Sequence, residues 1–449
     1  LGELIVDIRD VIHGVIQIES HELPVIESYF FQRLRQIRQT GFAEHSYPGA
    51  THNRFIHSIG ALHTITETFE AIFDGLRKRN PDAWRRFRAL ARFAAALHDI
   101  GHGPLSHTTE FAMPEVSRLG RISSKRKATH EDYTLKIILD SPLTPHLAKA
   151  GAIFGFTPEH VAALIESDVE VDEDFFKERI DGETLNFRPV LHQLISSELD
   201  ADRMDYLRRD SFYCGVNYGE FDYSWIIRNL TAHTSLSSHT KEGQVFLALK
   251  HRALYAFEDF LLARFNMFLQ VYLHHKTVVY DEMLANYLND PECDYKLPSD
   301  IEAYAQCTDA HLYTHLAQSK NPWAKRIVEK QPFKMFVEVH SGIPSTANAR
   351  EQQERVFKKA KQDLEARNIE YIENVSTGIL SKYFGKSDHP IFVHYDNLYS
   401  DPSFIPVQKC TSLFTQYPNS RSISRLFVSP EDHRKLTTSR PREKAILFE

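Results

Sequence analysis

Five separated stretches place histidines, acids and arginines at spacings that suit a metal ion beside a phosphate group. They are His52-Asn53-Arg54-Phe55-Ile56-His57, Leu97-His98-Asp99-Ile100-Gly101-His102 on to His107, Thr129-His130-Glu131, Glu198-Leu199-Asp200-Ala201-Asp202-Arg203-Met204-Asp205-Tyr206, and Arg264 to Tyr272. One His-Asp pair means little in a chain with 24 histidines, where roughly one or two arise by chance. The ordered set carries the information. Arg54 and His57 are three apart and share a helix face. His98 and Asp99 fall where an alanine-rich helix ends and its last turn opens, so adjacent side chains can converge on one ion. With Asp202 from a later helix, His57, His98, Asp99 and Asp202 make a borderline-hard ligand set. It suits Mn, Fe, Ni or Zn better than Ca.

Hydrolysis of a phosphate ester or anhydride needs a polarised water, stabilisation of charge on the phosphoryl oxygens and an acid for the leaving oxygen. The metal would supply the nucleophile, and Arg54, His102, His107 and Arg203 would neutralise phosphate. His130 would donate the proton, with Glu110 or Glu131 fixing its tautomer. Taken singly, His52, His63 or His107 reads as a capping or packed residue. Asp200, Asp202 and Asp205 beside Arg203, Arg208 and Arg209 read as a solvated ion-pair face. Joint occurrence at five segments reverses that balance, while His274-His275 reads as incidental.

The elements that must position these residues follow from periodicity. Residues 4–20 alternate around His13-Gly14 as a hairpin, and a helix is expected from about Ile26 to Gln39 after Pro24. Phe55, Ile56, Ile59, Leu62, Ile65 and Phe69 recur at three and four, and a second helix runs through Ala89 to Leu97 and ends by Gly101. Further helices are expected near 130–140, 157–167, 187–209 and 252–290, with a hairpin at 230–249 turning at Lys241-Glu242-Gly243. Beyond about 295 shorter segments predominate: a strand over Lys334–Val339, a charged helix over 348–367 and a strand over Ile391–Tyr395. The expectation is a mainly α protein, with a helical core over residues 1–290 and a smaller α+β lobe over 291–449.

Composition narrows the class. With 449 residues, 42% of them hydrophobic and 25% charged, the chain has the balance of a globular protein with a large core. It holds no apolar run near the 18 or so residues a membrane span requires. Leu1-Gly2-Glu3-Leu4 lacks the basic and long apolar regions of a secretory signal. Cys214, Cys293, Cys307 and Cys410 are scattered without a Cys-x-x-Cys, which disfavours a disulfide framework or thiolate zinc site. A cytoplasmic setting is expected. The net charge of −7 does not suit a general nucleic-acid binder.

The motifs, in this order, resemble the HD-domain deoxynucleoside triphosphate triphosphohydrolases. The match runs from Asp10-Val11-Ile12-His13-Gly14 through Phe31-Gln32-Arg33-Leu34-Arg35 and Tyr47-Pro48-Gly49-Ala50-Thr51-His52-Asn53-Arg54-Phe55, then the His98 and Asp202 segments and Arg264. The resemblance implies an HD-domain helical core in which His57, His98, Asp99 and Asp202 bind one divalent metal, magnesium being admitted with the nucleotide. It further implies that Arg54, His107, Arg203, Tyr206 and Arg264 contact the triphosphate, that His102 and His130 are catalytic, and that Glu110, where the family has Asp, orients the acid histidine. Gln39 and Asp210 would read the sugar 3′-hydroxyl, and Tyr272 would stack under the sugar and exclude a 2′-hydroxyl. Glu27, Gln32 and Arg35, with Lys250 and Arg252, match a regulatory nucleotide site between subunits. An activating dNTP such as dGTP and a dimer or tetramer would follow. Val6, Arg9 and Trp225 depart from the vertebrate regulatory site, and Phe268 and Leu273 from its active site.

The expected reaction is hydrolysis of a dNTP to deoxynucleoside and inorganic triphosphate. The rivals are a nucleotide monophosphatase or phosphodiesterase using the same ligands, and a catalytically silent binder of nucleotides or single-stranded nucleic acid.

Overall fold

Asn53 starts the element on which the rest is assembled. Its backbone is extended and its side chain accepts from the Ile56 amide at 3.2 Å, which satisfies one of the orphan donors of a helix start. Helix α1 (Arg54–Arg79) then buries Phe55, Ile59, Leu62, Ile65 and Phe69 along one stripe. At its far end Asn80 closes α1 and opens α2 (Pro81–Leu97), accepting from the Ala83 amide at 3.1 Å with Pro81 in the first turn. The two helices form an antiparallel pair, and the small Ala91, Ala94 and Ala95 of α2 let neighbouring helices approach. The computed structural model describes residues 5–120, 124–236, 242–341, 347–378, 380, 390–397, 399–416 and 421–438.

Among the later helices are α3 (His130–Leu139), α4 (Pro158–Ile165), α5 (Arg188–Ile195), α6 (Ala201–Cys214), α7 (Leu254–Met267), α8 (His275–Asn289) and, in the C-terminal part, α9 (Ala347–Ala366). Of these, α4, α5 and α6 pack directly on the pair. Two glycines set how closely they approach. A Cβ on Gly60 would lie 2.1 Å from Asp205 Oδ1 and 2.3 Å from Arg209 Nη2, so α6 packs against a bare strip of α1. A Cβ on Gly101 would lie 2.2 Å from both His130 O and Thr134 N, so the first turn of α3 rests on the loop that follows α2.

Strands β1 (Ile5–Asp10) and β2 (Gly14–Glu19) make the expected N-terminal hairpin. A mixed sheet runs β10 (Ser400–Pro406), β9 (Phe392–Asn397), β6 (Glu242–Lys250), β4 (Glu183–Asn186), β3 (Lys177–Ile180), with β5 (Leu230–Leu236) also on β6. The β6–β9 pair is parallel and joins strands from either side of residue 290. A third, antiparallel sheet, β7 (Lys334–His340), β11 (Arg421–Val428), β8 (Tyr371–Gly378), is covered by α9 through Ala360 and Leu364. One apolar core extends from Ile16 to Phe427. The chain is mostly helical. Among the described residues no helix is long and apolar enough to cross a membrane.

Three expected helices are shorter or divided. The 187–209 helix breaks into α5 and α6, because Asp200 Oδ2 accepts from the Ser197 amide (2.8 Å) and Oδ1 from the Arg203 amide (2.7 Å), competing with helix continuation. The 252–290 helix passes through a π-helical turn at Phe268–Tyr272 and restarts behind His274, whose Nδ1 accepts from the Lys276 amide at 3.3 Å. Between 26 and 39 the chain forms only short pieces, Leu23–Ile26, Tyr29–Gln32 and a 3-10 turn over Arg33–Gln36. Gln39 then donates its amide to His52 O at 3.1 Å. Of the expected turn at Lys241-Glu242-Gly243, Lys241 lies outside the described residues.

The Gly60 contact makes a paired prediction. Gly60→Ala should lose about 1–3 kcal/mol by overpacking. Gly75→Ala, in the same helix with nothing within 4 Å of its Cβ, should gain about 0.5–1 kcal/mol. Equal and small effects of the two in thermal or urea unfolding would contradict the close approach.

Candidate functional site

His57 lies one turn into α1, His98 and Asp99 leave α2, and Asp202 occupies the first turn of α6. His57 Nε2 is 3.0 Å from Asp202 Oδ1 and 3.4 Å from Asp99 Oδ2, and His98 Nε2 is 3.4 Å from each of the same two oxygens. The outer nitrogens decide what lies between them. His57 Nδ1 meets Asp205 Oδ2 at 2.8 Å, and His98 Nδ1 meets Ala95 O at 2.7 Å. An ionised carboxylate and a carbonyl only accept, so both Nδ1 atoms carry hydrogen, and in the neutral rings both Nε2 atoms present a lone pair. Both Nε2 atoms are buried without a hydrogen-bond partner. Four acceptor atoms thus face one another, which is the condition a divalent cation satisfies.

Without a metal the same acceptors attract protons. Burial opposes charge on His57, but the carboxylates of Asp202, Asp205 and Asp99 around it outweigh burial and raise its pKa well above the ordinary value. His98 is raised as well, against burial, by the charge of Asp99 and its bond to Asp202. Burial likewise opposes ionisation of Asp99, and the Arg54 guanidinium paired with it overcomes the penalty. Asp202 is held low, against burial, by its hydrogen bonds to His57 and His98. A proton and a metal therefore compete for this centre.

Beside it stand three more histidines. The His102 and His130 rings stack at 3.8 Å between centroids, and His107 lies 4.8 Å from each. Of the two acids expected to orient His130, Glu110 receives Nδ1 at 2.7 Å, while Glu131 lies 3.4 Å from Nε2. Glu110 also receives His107 Nδ1 at 3.1 Å. Burial opposes its ionisation, but these two bonds bring its pKa down to about 2. His102 is pushed well below the ordinary histidine value by burial and by the charges of Arg54 and His130, leaving it neutral, with its Nε2 3.3 Å from Asp99 Oδ1.

These groups open onto a cavity of about 460 Å³. Its wall holds Arg54, His107, Tyr206, Asp210 and Tyr272, and its rim Gln39, Thr40 and Phe268. Asp210 is fixed from both sides, accepting from Tyr272 Oη at 2.7 Å and facing His52 Nε2 at 2.7 Å. Gln39 Oε1 and Thr40 Oγ1 are buried with no hydrogen-bond partner. Arg203 and Arg264 instead converge on Glu198 Oε2, at 2.9 and 3.6 Å. Arg264 also donates to Leu380 O.

Elsewhere, Arg35 donates to Gln32 at 2.7 Å and lies over the Phe55 ring, while Arg252 pairs with Asn229 and lies over Trp225. Glu27, Gln32 and Arg35 are thus on the N-terminal segment, and Lys250 and Arg252 at the end of β6. Among the described residues no hydrogen bond joins the two groups within one chain.

Four contributors carried no role in the sequence reading. Ser106 accepts from Arg54 Nε at 2.8 Å, and Thr108 donates to Asp281 at 2.8 Å. Glu198 gathers two arginines. Asp205, which taken alone reads as part of a solvated ion-pair face, is fully buried with Arg209. The spacing of Asp202, Asp205 and Arg209 at i, i+3 and i+7 was the available signal, since it puts Asp205 on the metal-facing side of α6.

Residues 54–210 match the family model described as HD domain, and residues 222–370 that described as HD associated region. The chain is an HD-domain protein. The HD match begins at Arg54 and ends at Asp210, so it encloses all four proposed metal ligands. An uncharacterized protein of Methanocaldococcus jannaschii, MJ1154, is 31% identical over 330 residues, 74% of this chain and 59% of that protein. Human deoxynucleoside triphosphate triphosphohydrolase SAMHD1 is 30% identical over 237 residues, 49% of this chain and 35% of that enzyme. The chain spans about half the length of the curated relatives it matches. The crystal structure of a hypothetical protein from Aquifex aeolicus is 25% identical with a TM-score of 0.70, covering 97% of this chain and 99% of that one. The HD-domain cluster of His57, His98 and Asp99 has ligand atoms within 4.8 Å of one another, consistent with binding a divalent metal.

Two measurements follow. Mn²⁺ at about a hundred times its Kd should stabilise the fold by roughly 2.7 kcal/mol, a rise in Tm of several degrees that EDTA reverses and Asp202→Ala abolishes. An undiminished rise in that variant would place the metal elsewhere. Burial pushes the Asp281 carboxyl up to about 7, with the Thr108 bond opposing. Its contribution is fully present below the ordinary aspartate value and is lost as pH rises towards 7. Asp281→Asn should therefore gain stability over the native chain between pH 4 and 8, by roughly 2 kcal/mol. A gap that stays flat across that range in urea unfolding would contradict this.

Proposed function

We propose that the protein is a metal-dependent phosphohydrolase that cleaves dNTPs to deoxynucleoside and inorganic triphosphate. The observation that carries the phosphohydrolase reading is the set of four facing acceptors at His57, His98, Asp99 and Asp202, placed beside the Glu110-held His130. A divalent cation held by those four residues, from Mn, Fe, Ni or Zn, would supply charge to polarise phosphate and to lower the pKa of a water. The triphosphate reading is supported by similarity to relatives named deoxynucleoside triphosphate triphosphohydrolases.

The chain's own groups divide the remaining work. Arg54, braced by Asp99 and Ser106, points its charge into the cavity where phosphate would lie. Glu110 holds His130 through Nδ1, which turns Nε2 towards the site as the group that would hand a proton to the departing 5′-oxygen. His102, kept neutral, serves as a hydrogen-bond partner between Asp99 and the substrate rather than as a second cation. Asp210 and Gln39 offer acceptors to a sugar 3′-hydroxyl. The Tyr272 ring, pinned by Asp210, closes the space beside C2′. His107, Tyr206, Arg203 and Arg264 complete the phosphate side. Glu27, Gln32, Arg35, Lys250 and Arg252 would form an activating-nucleotide site only between subunits, since they form two separate groups in one chain.

One observation favours the rival chemistry of a nucleotide monophosphatase or phosphodiesterase. Arg203 and Arg264 are already engaged by Glu198, which leaves less free positive charge for three phosphates. Anion-exchange analysis of products from all four dNTPs with Mn²⁺, singly and mixed, separates the readings. Equal amounts of deoxynucleoside and triphosphate are expected, and monophosphate with pyrophosphate would overturn the cleavage site. His130→Ala should lower kcat by about 10²–10⁴ on dNTPs, and far less on a p-nitrophenyl phosphoester, whose leaving group needs no proton.

A further inference from the structure

Asp205 is fully buried, and its two oxygens receive donors from three parts of the chain. Oδ2 accepts from His57 Nδ1 at 2.8 Å and from Arg209 Nε at 2.9 Å. Oδ1 accepts from His13 Nε2 at 2.7 Å and from Arg209 Nη2 at 2.8 Å. Arg209 then donates to Asp10 Oδ2 at 2.7 Å, and Asp10 Oδ1 accepts the amides of Ile12 and His13, shaping the hairpin turn. The turn of the N-terminal hairpin is therefore one hydrogen bond away from the carboxylate that holds His57. Among the described residues the donors to that carboxylate, besides His57 and His13, are the two bonds from Arg209, which the same turn also holds. The bare backbone at Gly60 makes room for the network.

Besides this network the tip has one longer hydrogen bond, from Arg208 Nη2 to Ile12 O at 3.3 Å. The two strands pair only with each other, β1 is largely exposed, and the ties of Arg92 Nη2 to Gln17 O at 2.9 Å and of Arg88 to Glu19 at 2.6 Å are on β2. His13, by contrast, has its side chain 2% exposed, with the His63 ring 4.7 Å away. We propose that Asp10 and His13 act as positioning residues for the metal ligand His57, so that seating of the N-terminal hairpin and affinity for the metal are thermodynamically linked. The proposal rests on the metal reading of the site. Without His13, Asp205 keeps its charge in a dry environment with one donor fewer, and it is free to turn away from His57. Partners of this kind change metal affinity by about 10–100-fold when removed. Linkage also runs backwards: if a seated hairpin tightens the metal, bound metal must steady the hairpin by the same factor.

Mn²⁺ is the probe, with free Mn²⁺ counted by electron paramagnetic resonance. His13→Ala should weaken Mn²⁺ binding about tenfold. His13→Gln, which keeps an N–H donor, should return it to within about threefold of the native chain. Gln17→Ala, on the exposed side of the same hairpin, should leave it unchanged. In the unmodified protein, saturating Mn²⁺ should slow amide exchange of residues 5–19 about tenfold, and should not do so in Asp202→Ala. Native-like Mn²⁺ affinity in His13→Ala, failure of His13→Gln to recover it, or hairpin exchange indifferent to bound Mn²⁺ would each overturn the link. If His13→Ala does not fold, the exchange experiment decides alone. Absence of Mn²⁺ binding in the native chain, or binding undiminished by Asp202→Ala, would instead overturn the metal reading beneath it.

Discussion

Two imidazole nitrogens and two carboxylate oxygens that all offer lone pairs to one point would repel one another unless something positive sat between them or the scaffold held them there. Here the scaffold does both parts of the holding. Ala95 O and Asp205 take the outer hydrogens of His98 and His57, so neither ring can rotate its bare nitrogen away without losing a buried hydrogen bond. The rings arrive on α1 and the end of α2, and Asp202 arrives on α6 only because Gly60 lets that helix come close. The same approach buries Asp205 and Arg209. Metal site and helix packing are therefore one constraint rather than two.

The neighbouring histidines show how a small region gives the same side chain different partners. His102 is flanked by Arg54 and His130 and is buried, so a proton on it would face two positive neighbours. His130, only 3.8 Å away ring to ring, has Glu110 on its Nδ1. One ring is kept neutral, and the other is oriented by a carboxylate on its Nδ1. Different partners thus give two stacked imidazoles different surroundings. The stacking depends on α3 resting on Gly101, which fixes the height of His130 against His102.

The ligand positions were legible in the sequence because each sits on a local signature. Arg54 and His57 share a helical repeat behind a good N-cap, and the His98-Asp99 pair closes an alanine-rich helix. The breaks were less legible. Periodicity runs through 187–209 and through 252–290 without interruption, whereas Asp200 and His274 stop those helices by bonding their own following amides. Such side-chain competition is decided by tertiary setting. Asp205 received no role of its own because charge patterning does not report burial, and its partner His13, like the Asp10 that holds Arg209, lies nearly two hundred residues earlier. The parallel pairing of β6 with β9 is of the same kind, a long-range contact between strands with no local mark of each other.

Glu198 bears most directly on what the cavity accepts. Its carboxylate draws Arg203 and Arg264 together at 2.9 and 3.6 Å, while Arg54 is paired with Asp99. Each arginine near the cavity thus already has an acid, and an incoming polyphosphate has to compete with that acid for the guanidinium. A single phosphate would find Arg54 and the metal sufficient. A triphosphate, with several charges to place, would gain only if it drew Arg203 and Arg264 off Glu198, which takes two cations from a buried carboxylate. The arrangement keeps two cations neutralised in a buried place. On the proposed reading, the number of phosphates accepted would then depend on how readily Glu198 gives up its arginines rather than on the metal ligands.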